Sequence, residues 1–187
     1  MMPKKDFLMG LLTLQTMTAL IVAPKLSAQD QPGISASDAA KPQPADSNSN
    51  SGRIFEAVAD KALLAMKKRA EELNIKGVAL VAYAEGDTVK SWTSKMVVVG
   101  NLTSGQGPNQ KGNNLLGIAY TKAAEMADTL KDSGSKVRPP MTGEYGWQGG
   151  LVLKGKTGIL IVAFSGGSSE DDLKVSHSGL DIMAKNL

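Results

Sequence analysis

The sequence predicts an α+β domain, and three observations carry that prediction. Stretches with helical spacing of apolar residues alternate with short apolar runs, the runs come in two pairs joined by turns, and the order is helix, hairpin, helix, hairpin, helix. Hairpins make antiparallel sheet, and helices separated along the chain can cover it.

The chain has 187 residues, 42% apolar and 21% charged, enough for one core. Two segments of a different kind come first. Lys4 and Lys5 precede an apolar run from Phe7 to Ala23 and then "PKLSAQD", which reads as an export signal over residues 1–28 with cleavage after Ala28. The run is 17 residues long, short of the roughly 20 that span a bilayer. The expectation is therefore a periplasmic or extracellular protein with no stable membrane span after cleavage. Residues 29–52 are rich in Pro, Ser, Asn and Asp with Ile34 as the one large apolar side chain, and are expected to form a disordered linker. The folded domain is then 53–187.

The first helix is expected from Ile54, Val58, Ala62, Ala65, Met66 and Leu73 at helical spacing, with Lys67–Glu71 and Lys68–Glu72 as i,i+4 pairs on the wet side and an end at Asn74 and Gly77. "VALVAYA" from Val78 reads as a buried strand. It turns through "EGD" at 85–87 into a second strand, "TVKSWTSKMVVVG". Residues 101–114 are expected to be a loop. A second helix presents Leu116, Ala119, Ala123, Met126, Ala127 and Leu130, and stops at Asp132, Ser133 and Gly134. "SKVRPPMTGEYGWQGG" at 135–150 is irregular, and at that length reads as a binding loop or packed lid. "LVLKGKTGILIVAF" is a hairpin turning at Gly155, and a last helix runs from about Glu170 to Lys185.

Composition narrows the chemistry. With residues 1–28 set aside, 18 basic side chains face 17 acidic ones, and only 4% of the chain is aromatic. A nucleic-acid partner, which calls for a basic face and stacking platforms, is not expected. There is no cysteine, so no disulfide or thiolate metal site. Ser133–Lys136 spells SxxK and Lys156–Gly158 spells KTG, two signatures of serine β-lactamases. They lie too close together here and lack the S-D-N element, so chance explains them better than a hydrolase using Ser133 and Lys136. "GQGPNQKG" at 105–112 lacks the spacing of a dinucleotide fingerprint, and Asn101 opens a glycosylation sequon. His177, the one histidine, lies near Leu173, Leu180 and Ala184 on the last helix, in competition with a Val175, Gly179, Ile182, Met183 face; if the Gly179 face packs, His177 points outward.

"FSGGSSEDD" at 164–172 reads first as a strand-to-helix turn. Ser168 or Ser169 caps the helix, Glu170, Asp171 and Asp172 complement the dipole, and a positive φ is expected at the glycines. Its Ser165–Gly167 backbone reads secondarily as a pocket lip.

Gly149, Gly150 and Leu151, the following hairpin, Ser165, Gly166, Gly167, Glu170, Asp172, Gly179 and Leu180 together resemble the C-terminal signature of the GlcG/HbpS-like haem-binding family. Lys122–Ala123 in the second helix is similar to that family's Lys-Ala pair. The resemblance spans about 53–187. It implies a profilin-like antiparallel sheet of about five strands with helices packed on it, a homo-oligomer, and binding of haem or a related small molecule. No residue set here supports oxygen chemistry, so the leading expectation is an exported, non-catalytic binding protein rather than a haem-degrading enzyme. The ligand-contacting residues the resemblance implies are Tyr120, Lys122, Gly149, Gly150, Ser165, Gly166, Gly167 and His177. No metal-ligand set follows from the residues. His177, Tyr120 and Met126 stand as alternative axial ligands beside binding with no strong ligand. The alternative function is an oligomerisation module with no cofactor.

Overall fold

The computed structural model describes residues 50–187 apart from Asn109; the expected export signal and the linker up to residue 49 lie outside the described residues. The order is α1 (Asn50–Glu72), β1 (Gly77–Glu85), β2 (Thr93–Val99), β3 (Thr103–Gly107), β4 (Gln110–Asn114), α2 (Leu115–Thr129), β5 (Gly150–Lys154), β6 (Gly158–Ser165) and α3 (Ser169–Asn186). The class is α+β. The principal sheet has four antiparallel strands in the order β2-β1-β6-β5, and β3 and β4 form a separate two-stranded ribbon.

The central strands β1 and β6 pair from Val78–Ser165 to Glu85–Gly158 and are buried along nearly their whole length. Their side chains alternate between two cores. Ala79, Val81, Tyr83, Leu160, Val162 and Phe164 face α1 and α3, whereas Val78, Leu80, Ala82, Ala84, Ile159, Ile161 and Ala163 face α2. Helices on both faces are the reason "VALVAYA" and "GILIVAF" read as unbroken apolar runs: neither strand has a wet side that would call for alternation.

The helices turn slightly from their expected faces. α1 begins at Asn50, so the last residues assigned to the linker are helical. It buries Phe55, Val58, Ala59, Ala62, Leu63, Met66 and Ala70, while Ile54 is exposed. Lys67–Glu71 forms at 3.9 Å, but Glu72 pairs with Arg69 at 3.1 Å rather than with Lys68. α2 buries Leu115, Ile118, Lys122 and Glu125 as well as Ala119, Ala123 and Met126, because a folded loop covers the flank beside the sheet-facing stripe. Its C-cap is Leu130, left-handed at φ 51°, whose N–H donates to Met126 O. Leu130 is thus an exposed cap and no part of the apolar face.

Residues 101–114 correct the expected loop. Thr103 pairs with Asn114 and Ser104 with Asn113, and the ribbon leads into α2 through the Asn114 cap, whose side chain accepts from Gly117 N. The second hairpin forms as expected. Tyr83 OH, on the neighbouring strand β1, donates to Thr157 Oγ1 in the hairpin turn at 2.9 Å, which gives Lys156–Gly158 a structural role.

The β6–α3 turn also differs from expectation, since neither Gly166 nor Gly167 takes a positive φ. Glycine is required there for space. A Cβ on Gly166 would overlap the Lys76 carbonyl oxygen and come within 2.7 Å of Gly77 Cα, both rigid backbone. At Gly167 the closest neighbour would be the movable Ile75 Cδ1 at 3.1 Å. Gly166→Ala is expected to lose about 1–3 kcal/mol to this overlap, and Gly167→Ala far less. Urea denaturation of the two variants measures the difference, and equal losses would contradict the steric reading.

Candidate functional site

The start of α2, the β6–α3 turn and the start of β5 converge at one end of the sheet. Lys122 lies on the buried flank of α2, and Asp172 begins a stripe on α3 that continues through Val175, Ser176, Gly179 and Met183. Lys122 Nζ donates to Asp172 Oδ2 and to Phe164 O, each at 2.7 Å. Asp172 Oδ1 accepts from Gly167 N at 2.8 Å. Both residues are 4% exposed. Burial pushes the Lys122 ammonium below its ordinary value, opposed by the Asp172 charge. Burial likewise pushes the Asp172 carboxyl up, opposed by Lys122 and by the Gly167 and Gly166 N–H groups.

Gly149 closes over this pair. It has φ 125°, and a Cβ there would overlap Lys122 Nζ and lie 2.7 Å from Asp172 Cβ. Its carbonyl accepts from Ser176 Oγ at 2.7 Å and Phe164 N at 3.1 Å. Gly150 N donates to Ser133 Oγ at 2.8 Å, so the predicted helix-stop residues join the end of α2 to β5.

A cleft of about 130 Å³ opens above the pair. The ribbon contributes Ser104 and Asn113, α2 contributes Leu115, Ile118 and Lys122, the 135–149 loop contributes Trp147 and Gln148, and the turn contributes Ser165, Gly166, Gly167, Ser169 and Asp172. The loop is held by a clasp. Arg138 Nη1 and Nη2 donate to Glu144 Oε2 and Oε1 at 2.7 and 2.8 Å, and Nη2 also donates to Asp128 Oδ2 at 2.8 Å. The Arg138 guanidinium, and then the N–H of Met141, hold the Glu144 carboxyl down at about 2. Trp147 stacks on Tyr145 with ring centroids 4.7 Å apart.

Of the residues expected at a ligand, Lys122, Ser165, Gly166 and Gly167 line the cleft and Gly149 packs against Lys122 and Asp172, whereas Gly150 lies against Met126 and Ser133 and does not line it. Tyr120 does not: its OH lies 3.3 Å from Ser94 Oγ, on the β2 side of α2. His177 does not either. The Gly179 face packs, with a Cβ there only 2.5 Å from Met66 Sδ, and His177 is exposed. Ser133 is buried and engaged with Gly150, while Lys136 lines a different pocket. Among the described residues no group of His, Asp or Glu could hold a metal ion, and no helix is long and apolar enough to cross a membrane. Trp147 and Gln148 come from the 135–150 stretch expected as a binding loop or lid, although the sequence singles out neither, and Ser104 and Asn113 belong to the ribbon that the sequence does not reveal. Asp172 had been read as one of three first-turn acids, although its spacing to Val175, Gly179 and Met183 marks it as the one that turns inward. No protein-family model and no curated protein sequence matches the chain, so the GlcG/HbpS-like resemblance stands on its quoted residues alone.

The buried pair predicts a large contrast between neighbouring acids. Asp172→Asn leaves Lys122 without its countercharge and is expected to cost about 3–5 kcal/mol, whereas Asp171→Asn, at an exposed position, is expected to cost little. The variant's pH dependence has a definite sign. With its ordinary value at 10.5 and its folded value depressed, Lys122 binds fewer protons folded than unfolded between the two, so stability should rise with pH across that window. Denaturation from neutral to alkaline pH measures this, and a flat profile would contradict it.

The clasp has the opposite arrangement. Glu144 has an ordinary value of 4.5 lowered to about 2, so its contribution is complete above 4.5 and is lost as pH falls through about 2. Tyr145 and Trp147 emission is expected to stay native-like at about pH 4 and to change only on stronger acidification. In Arg138→Met the change should begin near the ordinary carboxylate range.

Proposed function

We propose that the domain is a non-catalytic binding module holding a small polar molecule over Lys122, between the Ser165–Gly167 turn and Trp147. The supporting observation is the donor count of Lys122. An ammonium has three N–H donors; Asp172 and Phe164 take two, and the third remains for a carbonyl or carboxylate oxygen in the cleft that Lys122 lines. Ser104, Asn113 and Gln148 add neutral donors and acceptors. His177, the one histidine, lies elsewhere, so no histidine-based nucleophile–base pair faces the ligand.

Haem, which the family resemblance implies, does not fit inside this cleft. The volume of about 130 Å³ is below the roughly 300–1,000 Å³ that encloses larger ligands. The candidate axial ligands do not point to it: Met126 is fully buried in the core, Tyr120 meets Ser94, and His177 is exposed on α3. A haem would have to lie outside it, and Met141, Tyr145 and Trp147 offer exposed apolar surface on the neighbouring loop.

Titration of the full chain with hemin, followed by the Soret band, and with acetate and acetamide, followed by Trp147 emission in a Trp92→Phe background, tests the assignment. A saturable emission change with the small acceptors and no stoichiometric Soret shift is the expected result. A stoichiometric Soret shift with no response to either small acceptor would overturn it in favour of haem.

Self-association is a second reading, favoured by the sheet edges. Among the described residues β2 and β5 each have a partner on one side only, and Leu153 on β5 is 41% exposed. Open edges with apolar side chains can pair with a second copy. Light scattering of the chain at micromolar concentration should give a mass above the monomer; a monomer there removes this reading.

A further inference from the structure

The 134–146 segment builds a second pocket that shares no residue with the cleft over Lys122. Its volume is about 490 Å³, within the roughly 300–1,000 Å³ typical of small-molecule sites. Val137, Pro139 and Pro140 give it an apolar wall, Lys136 and Arg138 also border it, and Glu125 of α2 lines it.

Glu125 is the informative residue. It is only 7% exposed, yet it forms no ion pair among the described residues. One carboxylate oxygen, Oε1, accepts from Gly134 N at 2.9 Å. Oε2 has no hydrogen-bond partner among the described residues, and since no fully enclosed side-chain oxygen or nitrogen is left without a partner, Oε2 is not sealed in. Its opening is the pocket that Glu125 lines. A carboxylate held this deep favours a cation that can bond to it directly. Neither bordering cation supplies it: the Arg138 guanidinium is committed to Glu144 and Asp128, and Lys136 forms no ion pair with Glu125 among the described residues.

We infer that this pocket is a binding site for a small amphipathic amine, with its ammonium on Glu125 Oε2 and its apolar body against Val137, Pro139 and Pro140. The site does not depend on the cleft over Lys122, and either can fail without the other.

Phenethylamine is a suitable probe, with 2-phenylethanol and 3-phenylpropionate as neutral and anionic analogues of the same shape. Amide NMR on the full chain should show saturable shifts at Gly134, which donates to Glu125, and at Gly146, which lines the pocket. The amine is expected to bind at least about tenfold more tightly than either analogue. Glu125→Gln keeps an acceptor for Gly134 and removes the charge, so it should weaken the amine about tenfold while leaving the alcohol unchanged. The wild-type comparison of amine with alcohol needs no variant and decides the matter if Glu125→Gln fails to fold. Equal affinity for amine and alcohol, shifts that spare Gly134 and Gly146, undiminished amine binding in a folded Glu125→Gln, or no saturable shift at about 10 mM amine would each overturn the inference.

Discussion

An ammonium and a carboxylate removed from water together, Lys122 and Asp172, set the geometry of one end of this molecule. Either alone would carry a desolvation penalty of several kcal/mol. The pair is tolerated because other charges and dipoles complete its coordination: Phe164 O on the lysine, Gly167 N on the aspartate. A pair of this kind adds little net stability compared with apolar side chains of the same volume. It contributes position. α2, the end of β6 and the first turn of α3 must keep their relative places for both charges to stay satisfied, and the chain crossing above them must be Gly149, with no side chain to displace the ammonium.

The segment between α2 and β5 follows from that anchor. Asp132 accepts from Val152 N, Ser133 exchanges hydrogen bonds with Gly150, and Gly134 donates to Glu125. These residues return the chain to the sheet edge. The remainder of the loop is held by Arg138, which joins Glu144 within the loop to Asp128 on α2. α2 therefore presents two buried side chains of opposite charge three residues apart, Lys122 and Glu125, each lining its own pocket. A helix whose apolar stripe packs on the sheet can carry such charges only where a loop brings polar backbone to them.

On the other face of the sheet α1 and α3 pack closely, through the absence of a side chain at Gly179 beside Met66 and Val162. That contact orients α3. It turns Asp172 and Ser176 toward the site and His177 away from it, so a candidate axial ligand is removed by a packing requirement on the far side of the sheet.

The sequence by itself determined the class, the order of the elements other than β3 and β4, and the two buried central strands, because apolar periodicity and turn residues are local signals. The residues of the β6–α3 turn suggested a pocket lip at Ser165–Gly167, while Lys122 was singled out only through the family resemblance; both line the cleft. Three things lay beyond the sequence. The β3–β4 ribbon has almost no apolar or β-branched side chains, so its backbone pairing leaves no pattern to read. The faces of α2 and α3 depended on what covers them, and helical spacing left two stripes open on α3 and hid Lys122 and Glu125 on the flank of α2. Last, the role of glycine in the β6–α3 turn is set by the Lys76 carbonyl, ninety residues before Gly166 in the chain. Local sequence can signal a backbone conformation, but only tertiary structure decides which distant atoms occupy the space where a side chain would go.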